Sequence, residues 1–397
     1  MKITDKFHRL REYVEKKSFS GYDPYDALNS QITRIFPFNK KLAKIALTQL
    51  LRRSPVNLRP LLGIQPGHNP KALGLFLEGY AALYTITTSK EIKAIAENLI
   101  ELLEKYKSPT CSGNGWGYNF DWQSRVFFVP KHTPTIVNSA FIGHALLNAW
   151  ESMKIQKALD LALPVRDFIL KDLNRLVEED SICFSYTPLD KYAVHNANLL
   201  GASLLFRISR YTNDLKARQV ALAALFYSMK YQLEDGAWKY SEQHGSSWID
   251  SFHTGFNLEA IRWFLKLDAA QEYKERYRKG VRFYGNNFFL KDGTPKYYHN
   301  QIYPIDIHAP AQAICFFSGE GSKYCDLTDV ILGWMLKNMY SGKGYFYFRK
   351  GKILTNRIPY MRWSQAWAYR ALTLYIKKEK NVYKISETLQ CARYSGR

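Results

Sequence analysis

The sequence predicts an all-α protein, a closed (α/α)6 toroid in which an inner ring of helices is wrapped by an outer ring. Apolar segments with helical character recur every 55 to 58 residues along the chain. More highly charged amphipathic segments lie between them, as an outer layer facing water requires. At 397 residues and 46% hydrophobic content, the chain is long enough and apolar enough for one large core.

The recurring segments predict the inner helices. Each begins with a polar or aromatic cluster and continues with apolar and small residues, a pattern typical of a helix buried on most sides. Equivalent positions in five of them, spaced 57, 58, 55 and 55 residues apart, are Asn138, His195, His253, His308 and Trp363. A sixth inner helix is predicted over residues 71–84.

The segments between them predict the outer helices, one before each inner helix. Their predicted ranges are 40–52, 91–105, 156–176, 215–233, 270–289 and 327–339. Because one helical hairpin cannot bury its own apolar face, the pairs are expected to close into a ring. A linear solenoid is the alternative, but its end repeats are usually polar, and the last inner helix here is among the most apolar.

The whole chain, residues 1–397, is therefore expected to form one domain. Residues 1–38 are predicted as an N-terminal appendage covering one end, 39–380 as the toroid and 381–397 as a C-terminal tail. The loops before the inner helices also repeat, with alternating aromatic residues that often follow a glycine turn, as in DGAWKYSE and DGTPKYYHN. They predict short β-hairpins at one rim.

The charge balance favours an anionic partner. Lys and Arg number 56 against 35 Asp and Glu, a net charge of +21. This excess suits an acidic glycan, a sugar-phosphate precursor or an anionic membrane surface. The sequence has no nucleic-acid-binding signature, so no specific nucleic-acid partner is predicted. The 15% aromatic content is typical of carbohydrate clefts, although a large core would also use it.

The sequence contains no secretion or membrane-insertion signal. The first 17 residues are charged throughout and no run of 18 apolar residues occurs. The five cysteines show no paired spacing, which fits a reducing compartment. We therefore expect a cytoplasmic protein, which could associate peripherally with a membrane. Glycine-rich phosphate loops are also absent, and no nucleotide cofactor is predicted.

One segment carries a family resemblance. Residues 232–238, QLEDGAW, resemble the Q-x-x-x-G-x-W repeat of the terpenoid cyclase and protein prenyltransferase toroid superfamily. The resemblance implies a toroid in which such loops tie outer helices together. The acidic motifs of terpene cyclases and the zinc ligands of prenyltransferases are missing, so terpene chemistry is not expected.

A second resemblance covers most of the chain. With GYDPYDALNS near its start and IPYMRWSQAWAYRAL near its end, the chain is similar to uncharacterised proteins encoded among bacterial and archaeal surface-polysaccharide genes. That resemblance implies no particular reaction. Uronyl hydrolases, polysaccharide lyases and glucuronyl epimerases share the (α/α)6 architecture, as an analogy of fold alone.

Candidate catalytic residues lie where the inner helices begin. In a toroid these N-termini meet at one mouth, where their free N–H groups attract anions. The candidates are His253, Asp250, His195, His308, Asp306 and Tyr303. Asp250 precedes His253 by three residues, so the carboxylate could orient the imidazole as a base. Asp250 and Asp306 could alternatively form a hydrolytic carboxylate pair. Helix capping and core packing are the structural alternatives.

Candidate binding residues are aromatic, amide and charged side chains at the same rim. They are Trp116, Tyr118, Trp122, Arg125, Asn138, Asn196, Trp248, Tyr298, His299, Arg362, Trp363, Asp23, Tyr25 and Asp26. Arg125 and Arg362 could clamp a carboxylate or phosphate, or form structural salt bridges. The YDPYD segment that holds Asp23 and Asp26 also reads as a turn. Three histidines could bind zinc; otherwise no metal is predicted.

These residues predict a lyase, epimerase or hydrolase acting on an anionic surface polysaccharide or its precursor. Lyase or epimerase chemistry at a uronic acid needs a cation for the carboxylate, a base and an acid, whereas hydrolysis needs two carboxylates. The candidates include both sets. The alternative is a non-catalytic protein that binds a glycan or a lipid-linked precursor.

Overall fold

Helices make up more than half of the described chain, and six of them make an inner ring. The computed structural model describes residues 2–31, 33, 40–123 and 128–394, with side chains as far as residue 380. The inner helices are α3 (Pro70–Thr87), α5 (Ile136–Met153), α8 (His195–Thr212), α10 (Ser251–Lys266), α12 (His308–Phe317) and α14 (Trp367–Tyr394). Each packs against the next in this order, and α14 packs against α3. The predicted (α/α)6 toroid is confirmed, as a closed ring.

Capping residues set where several inner helices begin. Side-chain oxygens of Asn69, Thr135 and Asp250 accept backbone N–H groups in the first turns of α3, α5 and α10. The ring closes through a close approach of α3 to α14. A Cβ atom at Gly79 would lie 2.6 Å from the Tyr369 ring, so only glycine fits there.

One outer helix lies against each inner helix. The outer layer consists of α1 (Ile3–Lys16), α4 (Lys90–Lys105), α6 (Gln156–Ala162) continued by α7 (Val165–Asp167), α9 (Leu215–Lys230), α11 (Lys274–Asn287) and α13 (Cys325–Asn338). None of the helices in the described ranges has the length and apolarity needed to cross a membrane.

The structure corrects the prediction for the first outer helix. Residues 1–38 were expected as an appendage, yet α1 packs against α14 and its Phe7, Leu10 and Val14 belong to the main core. These residues form the apolar stripe that a core-facing helix needs. The predicted first outer helix, α2 (Lys41–Arg53), instead packs in a separate small cluster with the 3-10 turn Asp26–Asn29.

Two helix ends also differ from the prediction. The outer helix predicted over 156–176 breaks near Pro164, whose missing N–H cannot continue the helical ladder. The chain then makes a π-helical turn, Phe168–Asp172, before it enters a hairpin. At the other end of the molecule, α14 extends to Tyr394, through most of the segment expected as a tail.

Short strands lie at the rim where the inner helices begin, as predicted. Within the described ranges they form three small antiparallel sheets: β1 (Trp122–Gln123) with β2 (Phe128–Val129), β3 (Arg175–Glu178) with β4 (Ser181–Phe184), and β5 (Ile305–Asp306) with β6 (Arg349–Lys350) and β7 (Thr355–Asn356). Each sheet precedes an inner helix, so the strands carry side chains to the mouth of the ring.

The QLEDGAW segment ties neighbouring outer helices together. Gln232 Nε2 donates to the carbonyl of Gly236 at 2.9 Å and to that of Arg276, on α11, at 3.0 Å. Trp238 Nε1 donates to the carbonyl of Ser228, on α9, at 2.8 Å. The glutamine and the tryptophan thus satisfy carbonyl groups of two outer helices.

Gly236→Ala is expected to destabilise the fold more than the same change at Gly245. Gly236 has a φ of +97°, and a Cβ there would lie 2.5 Å from the Lys279 carbonyl carbon. Gly245 has a φ of +76°, but its Cβ would meet nothing within 4 Å. We expect Gly236→Ala to lower the free energy of unfolding by roughly 1–3 kcal/mol more than Gly245→Ala does, because the new Cβ overpacks its surroundings. Urea unfolding of both variants measures this, and equal losses would contradict it.

Candidate active site

A cavity of about 210 Å³ opens where the inner helices begin. The N-terminal turns of inner helices form its lower wall and the aromatic rim loops form its upper wall. The predicted residues that line it are Tyr25, Tyr118, Trp122, Asn196, Trp248, Asp250, His253, Tyr298, His308, Arg362 and Trp363. The cavity is smaller than the roughly 300–1,000 Å³ of typical small-molecule pockets, so its size suits one sugar residue.

Asp250 and His253 form a hydrogen-bonded pair in the cavity wall. Asp250 Oδ1 accepts the backbone N–H of His253 at 3.0 Å, and Oδ2 lies 2.6 Å from His253 Nδ1. Trp248 Nε1 donates to the same Oδ2 at 3.2 Å. Asp250 therefore caps α10 and also orients the imidazole. With the Nδ1 proton donated to the carboxylate, Nε2 of the neutral ring is the basic nitrogen.

His308 also lines the cavity, but as part of an aromatic stack. Its ring lies parallel to Phe252, with centroids 4.6 Å apart, and contacts Trp363 and Trp367. Neither ring nitrogen has a hydrogen-bond partner among the described residues. Burial, with the nearby Lys71 charge, lowers the pKa of His308 well below its usual value. The ring is therefore neutral near pH 7.

Phe256, which lines the cavity, belongs to a cluster of three aromatic rings from three helices. Phe141 (α5), Phe256 (α10) and Trp367 (α14) contact one another with centroids 5.1 to 5.4 Å apart. Lys71, from the first turn of α3, places its Nζ 4.4 Å from the Phe141 centroid.

Charged pairs at the rim are structural rather than free. Arg362 is 3% exposed and donates from Nε and Nη2 to the two Asp23 oxygens. Arg59 Nε donates to Asp26 at 2.6 Å. Asp23 and Asp26, predicted as binding residues, do not line the cavity and are engaged in these ion pairs. Arg362 does line it, but its carboxylate partner is already present within the protein.

The predicted hydrolytic pair is not formed. Asp306 is fully buried outside the cavity, where it accepts Arg349 Nη2 at 2.6 Å and Trp363 Nε1 at 2.6 Å. Its carboxylate therefore holds β6 and the Trp363 side chain in position. Asp250 and Asp306 do not share a cavity, contrary to the prediction.

Several other predicted site residues also lie outside the cavity. His195 is 3.3 Å from Ser228 of α9 through Nδ1 and 3.4 Å from Glu242 through Nε2. It thus points to the outer layer, and the three histidines do not converge on a metal site in the described part of the chain. The further residues outside are Trp116, Asn138, His299 and Tyr303. Arg125 lies outside the described residues.

The prediction missed eight residues of the lining. Three of them, Tyr186, Tyr240 and Tyr297, belong to the alternating aromatic loops, so the loop pattern could have identified them. Four more are apolar residues of the loops and inner helices: Phe120, Val137, Phe252 and Phe256. The eighth, Lys71, lies alone in the apolar sequence PKALGLFLEGY. A single cation inside a buried helix was its only sequence signal.

Comparison with known proteins gives structural matches only. No family model matches the chain, and no curated protein sequence does. The Lin0763 protein from Listeria innocua superimposes with a TM-score of 0.63 at 13% identity, over 96% of this chain and 99% of that one. Cellobiose 2-epimerase from Bacillus thermoamylovorans gives 0.61 at 14% identity, over 79% and 88%.

An unsaturated glucuronyl hydrolase specific for heparin gives a TM-score of 0.57 at 13% identity, over 81% of this chain and 90% of that chain. These similarities show the fold. The toroid is thus shared with an epimerase and a hydrolase of different specificity, and at such low identity the chemistry of this chain has to be argued from its own cavity.

Proposed function

We propose that this protein is a carbohydrate-active enzyme that removes a proton from an acidic sugar, as an epimerase or a lyase. Its substrate would be a residue of an anionic surface polysaccharide or of its precursor. The observation that carries the proposal is the Asp250–His253 pair, which presents a basic Nε2 in the wall of a cavity of sugar size. A carboxylate behind an imidazole is a common arrangement for a general base.

The reaction would start at the carbon next to the sugar carboxylate. His253 Nε2 takes the proton from that carbon, and the electron pair of the broken C–H bond moves into the carboxylate. The intermediate then follows one of two routes. It regains a proton on its other face, giving an epimer, or it expels the oxygen substituent on the adjacent ring carbon, giving an unsaturated product. Asp250 stabilises the imidazolium that forms in the first step.

Tyrosine hydroxyl groups would supply the acid. Tyr118 and Tyr186 line the cavity with their hydroxyl oxygens 3.4 Å apart. Burial raises the pKa of both phenols, so both keep their protons near pH 7. A protonated phenol can donate to a leaving oxygen or to the intermediate.

Aromatic walls support a sugar ligand. Tyr240 and Trp248 stack on each other with centroids 4.6 Å apart, and both line the cavity with Trp122. Flat apolar faces of this kind suit the C–H faces of a sugar ring. The net charge of +21 would favour an acidic glycan or a sugar-phosphate precursor over a neutral one.

Proton abstraction is favoured over hydrolysis by the carboxylates. Glycoside hydrolysis uses two carboxyl groups on either side of the scissile bond. Among the described residues that line the cavity, Asp250 is the one carboxylate, and its oxygens already accept from His253 and Trp248.

Deuterium exchange tests the proposal. The wild-type protein is incubated in D₂O with oligosaccharides containing glucuronate, galacturonate or mannuronate, and with their neutral counterparts. We expect one of two products by NMR: an epimer with deuterium at the carbon next to the carboxylate, or an unsaturated sugar in which that carbon has lost its hydrogen. Hydrolysis with neither exchange nor an unsaturated product would replace the proposal with a hydrolase. Binding without any reaction would replace it with a glycan-binding protein.

A further inference from the structure

Lys71 is the basic group of the cavity that lacks a counter-charge. It is 4% exposed and lines the cavity from the first turn of α3. In the described part of the chain its ammonium makes no hydrogen bond and no ion pair; its contacts are with the faces of Phe141, Phe256 and Trp367, at 4.4, 5.3 and 5.6 Å. Because a buried cation without an acidic partner is costly, Lys71 is a candidate for contact with a bound anion.

The neighbouring charges leave Lys71 unbalanced. Arg362 is paired with Asp23. Arg370 is paired with both Glu78 and Glu259. These three carboxylates are thus engaged by the two arginines, and among the described residues none of them forms an ion pair with the lysine.

These surroundings make it easier for Lys71 to lose its proton in the empty cavity. Burial lowers the pKa of Lys71 well below its usual value, and the charges of Arg362 and Arg370 lower it further, while Asp23 opposes them. The neighbouring His308 is neutral and supplies neither a competing charge nor a counter-ion. An anion entering the cavity would supply the missing negative charge.

We propose that Lys71 is the counter-ion for the carboxylate of the sugar bound in this cavity. The inference deepens the proposed function and rests on it. In the order of the ring, α3 lies opposite α10, so Lys71 and His253 face the cavity from opposite sides. A uronate bound between them would direct its carboxylate to Lys71 and the adjacent C–H bond to His253. One ammonium group matches the single charge of a carboxylate better than the two charges of a phosphate monoester.

Calorimetry with charge-matched ligands tests this assignment without turnover. The probes are glucuronic, galacturonic and mannuronic acids and the neutral amide of each. We expect the wild-type protein to bind at least one acid roughly tenfold or more tightly than its amide. Lys71→Met should abolish this preference and retain amide binding, which reports that the cavity is intact. Lys191→Met removes the same charge from an exposed position and should keep the preference.

Proton uptake provides a second readout. When the acid binds above the pKa of Lys71 in the empty cavity, the amine should take up roughly one proton. Uptake is measured as a function of pH, from neutral pH to the usual range of a lysine, in buffers that differ in ionisation enthalpy. It should be absent for the amides and in Lys71→Met.

Three results would overturn the assignment. They are an acid preference that persists in Lys71→Met, a wild-type protein that binds none of the acids more tightly than its amide, and tighter binding of glucose 1-phosphate than of every acid. Because these measurements need no reaction, they also separate the two proposals. A missing exchange reaction with an intact acid preference refutes the catalytic role alone, and the reverse refutes the role of Lys71 alone.

Discussion

Replacing His253 with alanine is expected to lower the rate of proton exchange by about two orders of magnitude or more, the usual scale for a lost general base. Asp250→Asn should have a similar effect, because an amide can still cap α10 but cannot stabilise the imidazolium. The measurement is the rate of deuterium incorporation, or of unsaturated-product formation, with the uronate identified with the wild-type protein. Thermal unfolding checks that both variants remain folded.

The matched control for this prediction is His244→Ala. His244 is an exposed histidine in the loop that leads to Trp248, and it does not line the cavity. The exchange rate of this variant should equal that of the wild-type protein. Wild-type exchange in His253→Ala would show that another group is the base and would refute the assignment.

The second large effect is expected on stability, from Arg370→Met. Arg370 is 2% exposed and joins α14 to Glu78 of α3 and Glu259 of α10. Although burial alone would raise the pKa of Glu259, the Arg370 charge lowers it to about 2. Removing the guanidinium leaves two largely buried carboxylates without this cation, and among the described residues Glu259 keeps only the hydrogen bond from Gln312. The usual cost is about 3–5 kcal/mol, and we expect the lower part of this range because both glutamates reach a second cavity at the far end of the ring.

The stability loss in Arg370→Met is expected to depend on pH. In the wild-type protein the depressed Glu259 pKa contributes stability that is present above the unfolded pKa and lost as the pH falls through the folded pKa, between about 4.5 and 2. In Arg370→Met the stranded glutamates bind protons more readily. The loss of stability should therefore shrink between about pH 7 and pH 5.

Urea unfolding at these two pH values measures the Arg370 effect. The control is Arg278→Met, which breaks an exposed pair with Glu275 and should cost less than about 1 kcal/mol. Equal losses in the two variants, or an Arg370→Met loss that grows towards pH 5, would contradict the prediction.

The repeat spacing was sufficient to predict the inner helices, but not which side chains face the cavity. Neighbouring residues on a helix point about 100° apart. Val137 and Asn196 line the cavity, whereas Asn138 and His195, each one position away, do not. Periodicity locates a helix start to within a residue or two, and a shift of one residue moves a side chain from the cavity to the outer layer.

Contacts between distant parts of the chain decided the rest of the site. The sequence predicted Arg362 as a clamp for a ligand, but it could not show that Arg362 pairs with Asp23, which lies near the other end of the chain. The sequence likewise predicted Asp306 as a partner for Asp250, but it could not show that Asp306 accepts a hydrogen bond from Arg349. Lys71 differs from both, because its proposed role depends on the absence of an acidic partner among the described residues. Such pairings between distant residues cannot be predicted from local sequence patterns.

The closing contact between α14 and α3 has a consequence for biosynthesis. Trp367 of the last inner helix packs against Phe256, which lines the cavity, and the turn before this helix contributes Arg362 and Trp363 to the wall. On the ribosome, the preceding inner helices emerge before α14, which packs against both α3 and α12. The cavity is thus complete only after α14 has been made, and until then the apolar flanks of α3 and α12 that contact it are open to association between nascent chains.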